Sequence, residues 1–189
     1  MEDLIKSAFR EVDRKNFVSK KYQDQVGLDI PLPIGFGQTI SQPTTVKMML
    51  EWLEAKSGDK VLDVGSGSGW TSALLAEIVG GKGKIYAVER ILELKELGEK
   101  NCRKTGVKNV QFYLADKKVY GLPKFAPYDR ILVSASADKL PNKLIDQLKI
   151  NGKLIIPVQN SIYEISKKAR DDVEILEHYG FVFVPLIKK

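Results

Sequence analysis

From Lys60 onwards, short apolar runs alternate with longer stretches in which apolar residues recur at helical spacing. The short runs predict buried strands, and the spaced stretches predict helices with one apolar face. The predicted strands are 60–64, 84–88, 109–114, 128–134 and 152–158, and the predicted helices are 69–80, 91–105 and 138–149. Because strand and helix alternate, we expect an α/β fold whose mostly parallel, doubly wound sheet carries helices on both faces.

The segment before this alternating region has a different pattern. Residues 3–9 predict a short helix. The proline-containing stretch 12–35 predicts an extended arm over the surface, since proline disfavours helical backbone at its own position and at the one before it. A further helix is predicted from Pro43 to about Gly58, with proline in its first turn.

The last part of the chain predicts antiparallel structure. Stretches 161–166 and 172–179 flank a polar turn, which is the pattern of a β-hairpin. The apolar stretch 181–186 predicts a buried strand or strand end. We therefore expect a single domain over 1–189, with an N-terminal helical and extended extension over 1–58 and a sheet core over 59–189.

A glycine-rich turn follows the first strand of the alternating region. Gly65, Gly67 and Gly69 lead from that strand into a helix, so the backbone can turn sharply and come close to a ligand. The next strand ends in Glu89, and an acid about 20 residues beyond such a turn is placed to hold ribose hydroxyls. A lone glycine turn can serve helix packing only. Together with Asp63 inside the strand, however, Glu89 favours a cofactor that contains a nucleoside.

This pattern resembles that of the class I methyltransferases, which bind S-adenosylmethionine. A second block, DIPLPIGFGQTISQP at 29–43, resembles the segment before the cofactor domain in the protein-L-isoaspartate O-methyltransferase family. Further matches to that family follow in chain order: VLDVGSGSGW, AVER, APYDRILVSASA, LIDQLKINGKLIIPV and FVFVPL. The resemblance covers nearly the whole chain, and residues 38–43 are its most specific part.

The resemblance implies a fold, a reaction and a cofactor. The fold is a Rossmann-like class I methyltransferase sheet with an antiparallel C-terminal hairpin and an N-terminal extension over the site. The reaction methylates the free α-carboxylate of an L-isoaspartyl residue in a damaged protein or peptide. S-adenosyl-L-methionine is the donor and S-adenosyl-L-homocysteine the product, and the methyl ester collapses to a succinimide that reopens partly to aspartate. The chain departs from the family pattern at Val26-Gly27, Thr44 and Lys117.

The resemblance also implies which residues hold the cofactor. Asp63 and the turn Gly65–Gly67 would hold its methionine part, and Glu89 would hold the ribose. Asp116 would meet the adenine edge, unless it is a solvated loop acid, and Gln38–Ile40 would line the other side. The expected cofactor-binding residues are Gln38, Thr39, Ile40, Asp63, Gly65, Ser66, Gly67, Glu89, Arg90 and Asp116.

Ser41 is expected to be the catalytic residue, on the substrate side. A carboxylate is already ionised near neutral pH, so its methylation needs no general base, and the enzyme must supply position and desolvation. A hydroxyl at a helix N-terminus suits a carboxylate ligand, and Ser41 lies just before the helix that begins at Pro43. The alternative role, compatible with the first, is a helix cap formed by Ser41 or Gln42.

Composition argues against several further kinds of site and partner. The net charge of +6 comes from lysines scattered among acids, so we expect a solvated surface rather than one that binds nucleic acid. With one cysteine and one histidine, neither an internal disulfide nor a metal site is expected. No apolar run reaches the roughly 18 residues of a membrane span, and the N-terminus lacks a secretory signal. We expect a cytoplasmic protein that binds no membrane and is a monomer.

Four residues with reactive or aromatic side chains are expected to be structural. Cys102 is interpreted as a small buried hydrophobe, and Trp70 as a packing residue. Asp129, at the start of the fourth predicted strand, is expected to be structural rather than catalytic. His178 is expected to lie on the surface without partners.

Two other functions remain open at this point. One is a class I methyltransferase that acts on tRNA or a small molecule, although the chain lacks the interleaved basic and aromatic residues that stack bases. The other is a non-catalytic module that binds isoaspartyl segments. The intact Gly65, Gly67, Glu89 and Ser41 argue against loss of the cofactor site.

Overall fold

In the computed structural model, which describes residues 2–116 and 118–186, the chain forms five α-helices, three short 3-10 helices and nine strands. The α-helices are α1 Glu2–Glu11, α2 Pro43–Leu53, α3 Trp70–Val79, α4 Leu92–Lys104 and α5 Asn142–Ile145. The strands are β1 Leu32–Gly35, β2 Gln38–Ile40, β3 Lys60–Val64, β4 Lys84–Glu89, β5 Val110–Leu114, β6 Tyr128–Val133, β7 Leu148–Val158, β8 Ser161–Lys167 and β9 Val173–Tyr179. The 3-10 helices are Arg14–Phe17, Lys20–Gln25 and Pro123–Phe125.

The main sheet has seven strands in the order β5-β4-β3-β6-β7-β8-β9. The five strands β3, β4, β5, β6 and β7 are parallel, whereas β8 and β9 form an antiparallel hairpin at the end of the sheet. This arrangement confirms the predicted fold class. The chain winds outwards from β3 in one direction and from β6 in the other. Ligands of doubly wound sheets bind in the crevice at such a reversal, at the carboxyl ends of the strands.

Both faces of the sheet carry helix, as expected, but they are covered unequally. One face, which includes Val61 and Ile85, packs against buried residues of α1, α2, α3 and α4. The other face, which includes Leu62 and Tyr86, packs against the short α5 and against Phe125 of the third 3-10 helix. No membrane-spanning candidate occurs among the helices of the described residues.

The predicted helix over 138–149 is wrong for most of its length. Only the four residues of α5 are helical, and β7 begins at Leu148. Just after α5, the side chain of Gln147 bridges to the loop before β6. Its Nε2 donates to the Tyr120 carbonyl at 2.8 Å, and its Oε1 accepts from the Leu122 N–H at 2.9 Å. These bonds connect the turn between α5 and β7 to that loop.

The N-terminal extension is folded more tightly than an extended surface arm. Residues 12–35 contain two 3-10 helices and the strand β1, and Arg14, Phe17 and Leu32 within them are buried. Strand β1 pairs with β2 as a separate two-stranded sheet. The helix α2 ends at Leu53 rather than near Gly58.

The C-terminal stretch 181–186 is not the expected buried strand. Val182 is 89% exposed, and the stretch forms only an isolated bridge to the loop after β6. There the Ser136 N–H donates to the Val184 carbonyl at 2.8 Å, and the Leu186 N–H donates to the Ser136 carbonyl at 2.7 Å. The stretch is thereby fixed against the end of the sheet at which the chain direction reverses.

Candidate functional site

A cleft of about 240 Å³ opens at the carboxyl ends of β3, β4 and β6. Its floor is formed by strand ends, such as Val64 and Val88, and by the glycine turn. The hairpin β1–β2 forms one wall, and the loop after β5 and the C-terminal stretch form the others. Seven of the residues predicted to bind the cofactor line this cleft: Gln38, Thr39, Gly65, Gly67, Glu89, Arg90 and Asp116.

Glu89 is the best-anchored acid of the cleft. Its Oε2 accepts from the Gly67 N–H at 2.9 Å, and its Oε1 accepts from the N–H groups of Arg90 at 2.7 Å and Ile91 at 2.9 Å. The residue is 7% exposed and borders the cleft. Three backbone bonds therefore hold the carboxylate in a fixed orientation beside the glycine turn, where it can accept a further hydrogen bond from a ligand.

The glycine turn leaves little room for a side chain at Gly67 and none at Gly69. Gly67 has a φ of +51°, and a Cβ there would lie 3.0 Å from Ile34 Cδ1. Gly69 has a φ of +89°, and a Cβ there would lie 2.9 Å from the carbonyl oxygen of Gly98 in α4. The turn therefore packs directly on the backbone of α4. The part that Gly98 plays in this packing was not predicted from the sequence.

Asp63 lies behind the glycine turn and does not reach the cleft. It is fully buried, and the Ser72 hydroxyl of α3 donates to its Oδ2 at 2.5 Å. Within the described residues its Oδ1 has no hydrogen-bond partner. Burial, with a smaller contribution from the charge of Glu89, raises the pKa of Asp63 to about 7. The orientation follows from strand alternation, because Asp63 shares a face with Val61 and α3 covers that face.

Two other predicted cofactor residues also stay out of the cleft lining. Ile40 is 4% exposed and packs in the core beneath the hairpin β1–β2. Ser66 is buried, and its N–H donates to the Val88 carbonyl at 3.2 Å. Their sequence neighbours Thr39 and Gly65 line the cleft instead.

Ser41 lies before α2, outside the cleft lining, and does not cap the helix. The N-cap residue is Gln42, whose side chain makes no capping bond. Asp29 supplies the cap from a distant part of the chain, since its Oδ1 accepts from the Thr44 N–H at 2.8 Å and its Oδ2 from Gln42 Nε2 at 2.9 Å. These bonds to Thr44 and Gln42 hold the pKa of Asp29 below its usual value. The hydroxyl of Ser41 is thus not used for capping.

Several residues of the cleft were not predicted from the sequence. They come from the ends of β5 and β6 and from the C-terminal stretch: Ala115, Tyr120, Ser134, Ala135, Val184 and Leu186. The signal for Ser134 and Ala135 was available, because parallel strands that neighbour β3 must end at the same edge. The C-terminal residues gave no such signal, since only tertiary contacts bring them to the cleft. Lys117 lies outside the described residues.

Of the four residues expected to be structural, three have the predicted role and one does not. Cys102 and Trp70 are each 2% exposed, as expected of core residues. Asp129 accepts from the Lys60 N–H at 2.9 Å and from Lys149 Nζ at 2.6 Å, a structural role at the amino ends of the strands, away from the cleft. The prediction for His178 was wrong, because its ring stacks on Trp52 at 3.8 Å between centroids. Among residues 2–116 and 118–186 no group of three or more potential metal ligands occurs.

A switch-point cleft whose glycine turn is bonded to an acid at the end of the neighbouring strand is the arrangement of a class I methyltransferase. Within that class, the chain belongs to the protein-L-isoaspartate(D-aspartate) O-methyltransferase family, whose model matches residues 1–189. This bears out the resemblance noted in the sequence.

Individual relatives agree with this assignment. The protein-L-isoaspartate O-methyltransferase of Pyrococcus horikoshii is 45% identical over 196 residues, which cover 98% of this chain and 88% of the relative. A solved protein-L-isoaspartate O-methyltransferase aligns with a TM-score of 0.88 at 31% identity; the match covers 97% of this chain but only 61% of that one. A Plasmodium falciparum structure described as the same enzyme, in complex with S-adenosyl-L-homocysteine, aligns with a TM-score of 0.86 at 28% identity over 99% of this chain and 91% of that one.

Proposed function

We propose that this protein methylates the free α-carboxylate of L-isoaspartyl residues in damaged proteins or peptides, with S-adenosyl-L-methionine as donor. What carries the proposal is the Glu89-centred cleft between the glycine turn and the hairpin β1–β2, in a chain that belongs to this family along its whole length. We further propose that it acts as a monomer, since one chain supplies all sides of the cleft.

The chemistry of the cleft residues fits S-adenosyl-L-methionine. Glu89 is a preoriented acceptor for ribose hydroxyls, and Asp116 is a second acceptor further along the wall. Gly65 and Gly67, with φ of +79° and +51°, leave backbone exposed for close approach of the amino-acid part. Asp63 supports this turn from behind through Ser72 rather than by contact. When bound, the cofactor supplies a methyl group activated by a positive sulfonium.

On the acceptor side, the chain must orient a carboxylate and keep water away. The nucleophile is already ionised, so no residue has to remove a proton from it. The Thr44 N–H of α2 is occupied by Asp29, so this amide does not hold the carboxylate, and we assign that role to the Ser41 hydroxyl. Ser41 follows directly on β2, whose Gln38 and Thr39 border the cleft, so it lies where acceptor and cofactor would meet.

The test is methyl incorporation from labelled S-adenosyl-L-methionine into matched peptides. One peptide carries L-isoaspartate, and its twin carries aspartate at the same position; bulk tRNA is included as a different acceptor. We expect label in the isoaspartyl peptide only, because a carboxylate displaced by one methylene misses the in-line geometry, and misplacement near 1 Å can cost about a hundredfold in rate. Equal labelling of both peptides, or labelling of tRNA alone, would contradict the proposal.

A further inference from the structure

Arg14 is buried in the N-terminal extension, where its guanidinium donates to four backbone carbonyls. Nη1 donates to the oxygens of Val26 and Leu28, each at 3.2 Å. Nη2 donates to the oxygens of Ile30 at 2.7 Å and Ser41 at 3.0 Å. The residue is only 6% exposed. One side chain therefore joins three alternate carbonyls of one segment to the residue that we place on the acceptor side.

No carboxylate among the described residues forms an ion pair with Arg14, so its buried charge is stabilised in other ways. Its Cζ lies 5.3 Å from the ring centroid of Trp70, which is within the range of a cation–π contact. Burial lowers the pKa of Arg14, and the charge of Asp29 raises it. Burying a charge is costly unless its donors are satisfied. Four carbonyls satisfy the Nη1 and Nη2 donors, and the aromatic face of Trp70 lies beside the guanidinium, whereas Nε has no hydrogen-bond partner among the described residues.

A second connection runs between the same two segments in the opposite direction. Asp29 belongs to the segment that Arg14 holds, and its carboxylate binds the Thr44 N–H and Gln42 Nε2. Ser41 is thus fixed on one side by Arg14 and on the other by the capped start of α2. We propose that Arg14 is a positioning residue for methyl transfer, an inference that rests on the proposed function. By holding the backbone of Ser41 in place, Arg14 directs the Ser41 hydroxyl towards the acceptor carboxylate.

Lysine cannot replace Arg14 in this role. Its ammonium is a single nitrogen with three donors, whereas the guanidinium presents two planar nitrogens to four oxygens. In Arg14→Lys we expect kcat for the isoaspartyl peptide to fall by about ten- to hundredfold through misplacement of Ser41. The affinity for S-adenosyl-L-homocysteine should stay within about twofold, because Arg14 contacts none of the cleft residues that would hold it.

A second variant and a matched control make the test specific. Arg14→Gln replaces the charge with a neutral amide, which avoids an incompletely bonded buried cation should the lysine variant fail to fold. Arg130→Lys is the control, since Arg130 is also buried and donates to the carbonyls of Glu54 at 3.1 Å and Asp129 at 2.8 Å. It lies in the central strand β6, towards the amino ends of the parallel strands and away from the cleft. If Arg14 had a purely structural role, Arg14→Lys and Arg14→Gln would lower the Tm but leave kcat unchanged.

The experiment measures kcat and KM for the isoaspartyl peptide, S-adenosyl-L-homocysteine affinity, and amide hydrogen exchange over residues 26–30 and 41–45. We expect faster exchange in both segments and a fall in kcat for the Arg14 variants, with neither change in Arg130→Lys. An Arg14 variant with wild-type kcat or wild-type exchange overturns the inference. A wild-type protein that methylates no isoaspartyl peptide overturns the proposed function, whereas unchanged exchange in the variants separately overturns the positioning role.

Discussion

Glu89 is the residue on which we expect cofactor binding to depend most. Replacing it by glutamine puts an N–H donor among the backbone donors of Gly67, Arg90 and Ile91. We expect Glu89→Gln to weaken S-adenosyl-L-homocysteine binding by about 1–3 kcal/mol, the range for a hydrogen bond to a charged group. Calorimetry measures this directly. Glu93→Gln, an exposed acid in the first turn of α4, is the matched control, and equal affinities of both variants would remove Glu89 from the site.

Asp63 makes folding stability depend on pH. Because its pKa is about 7 in the folded protein, against an ordinary value of 3.8 for an aspartate in the unfolded chain, the folded state binds the proton more tightly. The stability it contributes is fully present below pH 3.8, falls as the pH rises to about 7, and is constant above that. Asp63→Asn removes this dependence. The free energy of unfolding of wild type relative to Asp63→Asn should decrease by on the order of a few kcal/mol across this interval.

Denaturant unfolding at several pH values tests the prediction for Asp63. The difference between the two proteins cancels the titration of other carboxylates. A difference that stays constant from pH 4 to 8 would show that Asp63 is ionised in the folded protein throughout, at variance with the pKa of about 7.

Ser41 tests the acceptor side at the residue scale. Ser41→Ala removes one hydrogen bond to a charged group, worth about 1.5–3 kcal/mol. We expect kcat/KM for the isoaspartyl peptide to fall by about ten- to hundredfold while the affinity for S-adenosyl-L-homocysteine changes little. The same substitution at exposed Ser57, beyond the end of α2, serves as the control. Full activity of Ser41→Ala would leave Ser41 without a role in transfer.

At the element scale, the glycine turn depends on its packing against α4. A Cβ on Gly98 would lie 2.8 Å from Phe112 Cε1 and 2.9 Å from the carbonyl oxygen of Gly67. We expect Gly98→Ala to destabilise the protein by about 1–3 kcal/mol, as overpacking does, and to weaken cofactor binding by displacing the turn. Gly81→Ala is the control, because a Cβ there meets nothing within 4 Å.

Thermal denaturation and calorimetry on the Gly98 and Gly81 variants check this prediction. A Gly98→Ala protein with wild-type Tm and wild-type affinity would mean that α4 can shift without disturbing the turn.

The elements that the sequence predicted best are those whose pattern is local. Strands β3 and β4 were placed within one residue, because an unbroken apolar run bounded by glycine and charge has few other structures available. The prediction of a helix over 138–149 was wrong because Leu140, Leu144 and Leu148 have helical spacing but lie in three different elements. Leu140 lies in a loop, Leu144 in α5 and Leu148 at the start of β7. Spacing cannot reveal that β7 begins at Leu148, nor that the Gln147 side chain before it bonds to the loop before β6.

In the candidate site, too, the features carried by consecutive residues were predictable and those formed by distant residues were not. The glycine turn and Glu89 were predictable because the strand, turn and helix that carry them are consecutive in sequence. The Arg14 and Asp29 connections were not, because they join residues 27 and 15 positions apart through backbone groups that leave no pattern. Stacking of His178 on Trp52 likewise joins a late strand to an early helix.

For the molecule as a whole, the unequal covering of the sheet explains how the cleft is built. Four helices cover one face, and α4 among them packs against the glycine turn through Gly98. The other face is closed by α5 and the loop before β6, which leaves the neighbouring cleft walls to the segment after β5 and to the C-terminal stretch. The N-terminal extension then brings Ser41 to this edge through Arg14 and Asp29.

Repair of an isoaspartyl peptide tests the proposed function most directly. The peptide is incubated with the protein and S-adenosyl-L-methionine, and the isoaspartyl, succinimide and aspartyl forms are separated by chromatography over time. We predict steady loss of the isoaspartyl form and growth of the aspartyl form, both dependent on the cofactor and both slowed by Ser41→Ala. An isoaspartyl peptide that persists unchanged while the protein demonstrably binds S-adenosyl-L-homocysteine would contradict the proposed function.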